Sequence, residues 1–217
     1  MKNKIKVLIT AGPTREKIDA VRFISNKSSG KMGYALAQAA YDANLEVTLI
    51  SGPVNITEIK NIKTIYVESA ANMEKKVFEY ASHADIIIMC AAVADYTPII
   101  KINGKIKKSK ENLILKLKRT EDILAKLGQI KTNQFLVGFA AETENLIQYA
   151  NEKLIKKNLD LIIANDVSSD TQGFSSEYNA VTIIDNKNNI IKIPKQTKQI
   201  IADEVIQIII KKMELDI

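Results

Sequence analysis

Short apolar runs alternate with amphipathic stretches along the first half of the chain. Residues 5–10 (IKVLIT) form a β-branched apolar run that predicts a buried strand, and a helical pattern at residues 31–43 leads into a second such run at residues 45–50. This order predicts a βαβ unit and a parallel sheet. The same pattern then repeats, with a strand at residues 63–68, a helix at 70–82 capped by Ser69 and a strand at 85–90.

The alternation of strands and helices stops after residue 98. Residues 99–118 combine a glycine-containing basic turn with an alternating strand at 113–118, which predicts an antiparallel, partly exposed excursion. The αβ alternation then resumes with helices at 121–131 and 143–157, strands at 135–138 and 160–164, a loop at 166–179, a hairpin at about 180–193 and a last helix at about 196–213. The predicted fold class is α/β: a Rossmann-like, mostly parallel sheet flanked by helices, with a small antiparallel excursion, in one domain of residues 1–217.

Composition limits the chemistry. The 217 residues are 46% hydrophobic and 26% charged, which is typical of soluble globular proteins. No stretch approaches the roughly 20 apolar residues that cross a bilayer, and we expect a cytoplasmic protein without membrane contact. Because Cys90 and His83 are the single cysteine and histidine, an internal disulfide is excluded and a Cys/His zinc site is disfavoured. Oxygen ligands would have to hold any metal.

The net charge of +6 is that of an ordinary surface solvated by lysines, and it is also compatible with two kinds of partner. Nucleic acid is one, but aromatic residues do not interleave with the lysines, which are scattered over many elements. Phosphorylated small molecules are the other, and the sequence favours them. A nicotinamide-dependent reductase is a further alternative, supported by the βαβ start and weakened by the lack of a G-x-G-x-x-G fingerprint.

The loop after the first strand carries a candidate anion site. Ser28, Ser29 and Gly30 lead directly into a predicted helix, where hydroxyls, free backbone N–H groups and the helix dipole favour a phosphate. Arg22 and Asn26 precede them and add planar donors. The alternative is a capping serine beside a turn glycine, and spacing does not decide between the two.

The loops after later strands carry weaker signals. The small residues that follow Cys90 would admit a flat ligand ring. Asp95 is placed to orient a hydroxyl or an ammonium group of that ligand. Cys90 itself is expected to pack in the interior. Lys105 lies in a basic loop where it would neutralise charge on a transferred phosphate. A solvated charge run is the ordinary alternative.

Two later elements complete the candidate ligand edge. Phe139 ends a predicted strand and would stack on a base. Lys153 and Lys157 are four residues apart on one helix face, as two phosphate-contacting lysines would be, or two ordinary surface lysines.

Several segments together resemble one enzyme family. They are AGPTREKIDAVRFISNKSSGKMGYALA, CAAVADY, KIKK, RTEDILAKLG, VGFAAET, KLIKKNLDLIIANDV and GFSSEYNAVTII. In this order, over about residues 5–185, they resemble phosphopantothenate–cysteine ligase, which in many bacteria is fused to a flavin-dependent decarboxylase. The resemblance implies a ligase domain that stands alone or belongs to such a fusion.

The resemblance also implies reactants and partners. Such enzymes join 4′-phosphopantothenate and L-cysteine to 4′-phosphopantothenoyl-L-cysteine in coenzyme A biosynthesis, through an acyl-cytidylate intermediate. CTP is the implied co-substrate, Mg²⁺ the implied cofactor, and pyrophosphate and CMP are released; the residues alone do not choose CTP over ATP. A homodimer and a functional partnership with a flavin-dependent phosphopantothenoylcysteine decarboxylase are further expectations.

The resemblance assigns roles residue by residue. It makes Asn26 and Lys105 catalytic and places Arg22, Ser28, Ser29 and Gly30 at the phosphopantothenate. It leaves the metal ligands unassigned, and Glu121 departs from the proline common in the family. The implied nucleotide-binding residues are Ala91, Ala92, Asp95, Lys105, Glu121, Asp122, Ile123, Leu124, Phe139, Lys153 and Lys157.

Overall fold

The computed structural model describes residues 4–108, 112–142, 144–166 and 176–214. The strands are β1 (Lys6–Ala11), β2 (Arg15–Lys17), β3 (Phe23–Ser25), β4 (Glu46–Ser51), β5 (Lys63–Tyr66), β6 (Ile86–Met89), β7 (Tyr96–Pro98), β8 (Leu117–Arg119), β9 (Phe135–Glu142), β10 (Leu161–Asp166), β11 (Tyr178–Asp185) and β12 (Ile190–Thr197). The helices are α1 (Lys31–Asp42), α2 (Ala70–Ala81), α3 (Ile123–Ile130), α4 (Leu146–Lys156) and α5 (Lys198–Lys212).

One eight-stranded sheet organises the fold, in the order β12-β11-β10-β9-β6-β1-β4-β5. The six strands from β10 to β5 are parallel, with β1 at the centre between β4 and β6. The predicted hairpin is present as β11 and β12, and it extends the sheet by antiparallel pairing with β10. The predicted α/β fold class is confirmed.

The antiparallel excursion is shorter than predicted. The strand expected at residues 113–118 is reduced to β8, which pairs antiparallel with β7 and is exposed along its length. Pairing stops one hydrogen bond beyond Pro98, where the Ile99 N–H donates to the Lys116 carbonyl at 3.0 Å. Because β7 is only three residues long, it offers no further pairing partners to the residues that precede β8.

Three other local predictions need correction. The first loop contains the hairpin β2–β3, which the sequence pattern did not indicate. β9 continues to Glu142, four residues past its predicted end, and α4 begins only at Leu146 because Asn145 adopts a left-handed conformation with φ of 49°. Part of the loop predicted at 166–179 lies outside the described residues.

Two apolar cores cover the two faces of the sheet. α1 and α5 pack on one face, where Leu36 and Ile201 are fully buried. α2, α3 and α4 contribute Met73, Leu127 and Leu154 to the other face. Buried apolar side chains on both faces are typical of a parallel sheet and explain the continuous apolar runs in its strands. None of the described helices has the length and apolarity needed to span a membrane.

Side chains hold the start of α2. Ser69 caps α2 as predicted, accepting from the Asn72 N–H at 3.2 Å, while the Asn72 side chain accepts from the Ser69 N–H. The buried Glu16 carboxylate also accepts from the Ala70 N–H at 2.7 Å, which ties β2 to the start of α2. These contacts satisfy N–H groups that a helix start leaves unpaired.

α1 lies in direct contact with the central strand. A Cβ on Gly33 would stand 2.6 Å from the Ala11 Cβ and 3.1 Å from the Thr10 carbonyl oxygen. Only a residue without a side chain allows this approach. It places the start of α1 immediately above the carboxyl end of β1.

Gly33→Val is expected to lower the free energy of unfolding by at least about 2 kcal/mol, because a side chain there forces α1 away from β1. Urea denaturation monitored by circular dichroism measures the change. Gly104→Val is the matched control, since a Cβ on Gly104 meets no atom within 4 Å. Equal stability of the two variants would contradict the close approach.

Candidate functional site

A crevice of about 810 Å³ opens beyond the carboxyl ends of β1, β6 and β9. This is the edge at which open parallel sheets bind ligands. Loops after these strands and the beginnings of α1, α3 and α5 form its walls. The lining residues used below are Asn26, Ser28, Ser29, Gly30, Lys31, Cys90, Ala91, Ala92, Asp95, Tyr96, Arg119, Glu121, Asp122, Ile123, Leu124, Phe139, Ala140, Ala141, Lys157, Asn165, Asn179 and Lys198.

Two glycines hold the start of α1 at the crevice. Gly12 and Gly30 have φ of 74° and 80°, a region that glycine enters without steric cost. A Cβ on Gly30 would lie 2.6 Å from the Val54 Cγ1 and 3.3 Å from the Gly12 Cα. The Gly30 N–H donates to the Ser28 Oγ at 3.3 Å. The serine-rich turn is therefore packed tightly against β1.

The loop after β6 is fixed by two threonines. The Thr10 Oγ1 accepts from the Cys90 and Ala91 N–H groups, both at 3.1 Å, and the Thr14 Oγ1 accepts from the Ala94 N–H at 2.9 Å. Asn26 closes over this loop, because its Nδ2 donates to the Ala92 carbonyl at 3.3 Å and to the Val93 carbonyl at 3.1 Å. These hydrogen bonds fix Ala91 and Ala92, whose small side chains line the crevice.

One group of charged residues, here called the rim cluster, consists of Arg119, Glu121, Asp122 and Lys157. Asp122 caps α3 and forms an ion pair with Lys157 at 2.8 Å. Burial alone would raise the pKa of Asp122, but the Lys157 ammonium and the Ala125 N–H hold it below the ordinary value. Glu121 is paired with Lys126 at 3.1 Å. The carboxylates of the rim cluster are therefore neutralised by protein cations.

A second group, the floor cluster, consists of Lys31, Cys90, Glu177, Asn179 and Lys198. Lys198 begins α5 and is 5% exposed, and Asn179 in β11 is 1% exposed. Lys31 forms an ion pair with Glu177. Burial raises the pKa of the Cys90 thiol to about 12, so the thiol is neutral at physiological pH.

The crevice brings together most of the predicted site residues. Asn26 and the Ser28–Gly30 turn meet the predicted nucleotide-binding residues there, apart from Lys105 and Lys153. The roles assigned to these residues stay predictions. The crevice lining also includes five residues that the sequence did not indicate: Lys31, Arg119, Asn165, Asn179 and Lys198. Asn165, Asn179 and Lys198 belong to β10, β11 and α5, which lie far along the chain from the other site residues.

Three predicted site residues lie away from the crevice lining. Arg22 is bound to the buried Asp19, with the Nε donating to Oδ2 at 3.0 Å, and its Nη2 donates to the Ile106 carbonyl at 3.0 Å. The guanidinium keeps the pKa of Asp19 far below its usual range. Lys105 is exposed on the segment docked against this pair, and Lys153 is likewise absent from the lining.

The described residues offer no cluster of three or more acidic, histidine or cysteine ligands for a metal ion. In the crevice, Asp122 and Glu121 are engaged by Lys157 and Lys126. The site therefore provides positive charge for an anion rather than a set of carboxylates for a cation.

Comparison with known proteins adds names to this geometry. The family model described as the DNA/pantothenate metabolism flavoprotein C-terminal domain matches residues 2–213. A crystal structure of the C-terminal domain of the coenzyme A biosynthesis bifunctional protein CoaBC superimposes with a TM-score of 0.84 at 42% identity, covering 98% of this chain and 97% of that one.

Curated relatives are similar over most of the chain. The coenzyme A biosynthesis bifunctional protein CoaBC of Bacillus subtilis is 49% identical over 202 residues, 93% of this chain and 50% of its own length. A cysteine/cysteine sulfinic acid decarboxylase from an unknown prokaryotic organism is 47% identical over 207 residues, 94% of this chain and 58% of its own length. The chain thus spans about half the length of the curated relatives it matches.

These names contradict the predicted phosphopantothenate–cysteine ligase. The family is named for a flavoprotein, and a relative at 47% identity carries the name of a decarboxylase. The assignments of ligase activity, of CTP and Mg²⁺, of 4′-phosphopantothenate and L-cysteine as reactants, and of a decarboxylase as a separate partner are corrected accordingly. Coenzyme A biosynthesis and pantothenate are supported.

The crevice fits only part of a flavin mononucleotide. The serine-rich turn and the lysines of the floor cluster suit its phosphate. The tricyclic ring needs two facing apolar walls, whereas charged and polar side chains such as Arg119 and Asn165 interrupt the apolar lining. The described residues do not form a flavin-ring site, and no flavin step is derived from them.

Cys90 is expected to react with iodoacetamide at pH 8 at least about a hundredfold more slowly than a free cysteine, because a thiol with a pKa of about 12 is almost entirely protonated there. The rate should keep rising well above pH 9. As the chain has one cysteine, mass spectrometry reports this site alone, and unfolding in guanidinium provides the control. A rate that levels off near pH 8.5 would contradict the predicted shift.

Proposed function

Because the chain belongs to the family of DNA/pantothenate metabolism flavoprotein C-terminal domains, we propose that its crevice binds phosphopantothenoylcysteine. The names of the relatives point to coenzyme A biosynthesis and to decarboxylation of a cysteine compound. Phosphopantothenoylcysteine satisfies both, since it joins a phosphorylated pantothenate to cysteine. The reactions of the longer relatives are not assigned to this chain.

The single observation that carries the proposal is the shape and charge of the crevice. Its floor cluster lies at the starts of α1 and α5 on one face of the sheet, and its rim cluster lies beside α3 and α4 on the other face. A ligand lying across the sheet edge reaches cations of both clusters. Phosphopantothenoylcysteine is extended and carries an anionic group at each end.

The middle of the crevice suits the neutral part of this ligand. Ala91, Ala92 and Ala141 line it with small side chains, so an extended amide chain can approach the backbone. Asn26 is held in place by the Ala92 and Val93 carbonyls and borders the same wall. These residues would orient the pantothenoyl amides by hydrogen bonds, which carry directional preference without charge.

The extent of the domain and its location are also proposals. We propose that residues 1–217 act as one domain. The support is a single sheet with an apolar core on each face, and these two cores together include residues from β1 to α5. A cytoplasmic location is proposed from the coenzyme A biosynthesis of the relatives.

Isothermal titration with phosphopantothenoylcysteine is expected to show one binding site per chain. Ala141→Trp should weaken binding at least about tenfold, because an indole there fills the crevice without disturbing the core. Ala71→Trp, on an exposed face of α2, is the matched control and should bind as the wild type does. Absence of wild-type binding, or equal affinities of the two variants, would contradict the proposal.

A second readout separates binding from chemistry. Mass spectrometry of the ligand, incubated with the chain and added flavin mononucleotide, reports whether carbon dioxide is lost. Recovery of the intact compound is the expected result, because the described residues form no site for the flavin ring. Loss of carbon dioxide would extend the function from binding to decarboxylation and would contradict that interpretation of the lining.

A further inference from the structure

Arg119 is the last residue of β8, and the backbone around it is fixed beside the crevice. In the β7–β8 pair it lies opposite Tyr96, which also lines the crevice. The next residue, Thr120, donates its N–H to the Asp95 carbonyl at 2.9 Å and its hydroxyl to the Ala94 carbonyl at 2.7 Å. The Arg119 side chain therefore starts from a defined point on the crevice wall.

The guanidinium of Arg119 is available to a ligand. Lys157 is paired with Asp122 at 2.8 Å, and Lys126 is paired with Glu121 at 3.1 Å. Arg119 is exposed, and none of the ion pairs between described residues includes it. In the free chain, water rather than a protein carboxylate therefore solvates its charge.

Asp95 places an opposite charge on the same wall. It follows β6, it is exposed, and it lines the crevice as Arg119 does. An anionic group of a ligand would be repelled by the Asp95 carboxylate and attracted by the guanidinium. The two charges therefore favour one position for such a group, next to Arg119.

A guanidinium is well matched to a carboxylate. Its planar fork of N–H groups can donate two parallel hydrogen bonds to the two carboxylate oxygens, which a lysine ammonium cannot do in the same plane. In phosphopantothenoylcysteine the carboxylate belongs to the cysteine end, and the phosphate lies at the other end of the chain. The carboxylate is therefore the group that distinguishes the cysteine end from its decarboxylated form.

We propose that Arg119 binds the carboxylate at the cysteine end of phosphopantothenoylcysteine and makes the crevice selective for carboxylated over decarboxylated pantothenate compounds. This inference rests on the proposed function, which it deepens by assigning one end of the ligand to the rim cluster. The amide chain next to the carboxylate would then run along Ala91 and Ala92, which line the crevice.

The test compares phosphopantothenoylcysteine with 4′-phosphopantetheine, which lacks only the carboxylate, by isothermal titration. Arg119→Met should weaken binding of the carboxylated compound about tenfold and change the other affinity by less than about twofold. The expected loss is at the lower end for a hydrogen bond to a charged group, because Arg119 is exposed.

Lys118→Met is the matched control. It removes the same charge from the adjacent residue of β8, whose side chain points to the opposite face of the strand and does not line the crevice. Both ligands should bind to this variant as they bind to the wild type.

Arg119→Lys separates the guanidinium fork from the charge. It keeps one positive charge without the planar pair of donors, so it should bind phosphopantothenoylcysteine more weakly than the wild type does. An affinity equal to that of the wild type would contradict the paired hydrogen bonds.

Thermal denaturation checks the folding of these variants. Because Arg119 and Lys118 are both exposed, each replacement should leave the thermal midpoint close to that of the wild type. If Arg119→Met lowered the midpoint, the comparison of the two ligands in Arg119→Lys would decide the proposal.

The outcomes distinguish this inference from the proposed function. Equal wild-type affinities for the two ligands, or equal losses for both in Arg119→Met, would overturn the carboxylate subsite and leave the proposed function intact. If the wild type bound neither ligand, the proposed function would fail, and NMR titration with N-acetyl-L-cysteine would decide the subsite, because this probe keeps the amide and the carboxylate. Weaker binding of the probe by Arg119→Met than by Lys118→Met would support the subsite, and equal binding or none would overturn it.

Discussion

The contact between α1 and β1 is the constraint on which the crevice depends. Gly33 allows the helix to touch Ala11 and Thr10, and Gly12 and Gly30 adopt positive φ so that the preceding turn folds over the strand end. Any side chain at Gly33 would push the helix start away from the sheet. The positions of the serine-rich turn, of Lys31 and of the loop that Asn26 covers all follow from this approach.

The charged residues of the crevice form two separate clusters. Asp122 and Glu121 of the rim cluster are engaged by Lys157 and Lys126, and Lys31 of the floor cluster is paired with Glu177. The proposed binding of an extended phosphorylated ligand rests on these cations at the two ends of the crevice.

Much of the architecture could be predicted from local pattern. The apolar runs at residues 5–10 and 85–90 and the capping residue Ser69 each led to the observed element, because burial and capping are recorded in neighbouring residues. The hairpin β2–β3 and the late start of α4 could not be predicted, since they depend on tertiary contacts and on the left-handed conformation of Asn145.

The site was predicted less completely, for a related reason. Ser28, Ser29 and Gly30 lie next to a helix start in the sequence, so their position was visible, whereas Lys198 reaches the crevice only after the sheet has been extended by β11 and β12. Arg22 lies away from the crevice lining because it is bound to the buried Asp19, a partner that only the fold identifies, and its role stays a prediction. The resemblance led to the pathway that the relatives' names also give, while the ligase reaction drawn from it conflicts with those names.

A crystal structure of the chain with phosphopantothenoylcysteine tests the proposed binding. We expect the ligand to lie across the carboxyl ends of β1, β6 and β9, against Asn26 and the alanines that line the crevice. A ligand bound outside the crevice would contradict the proposal.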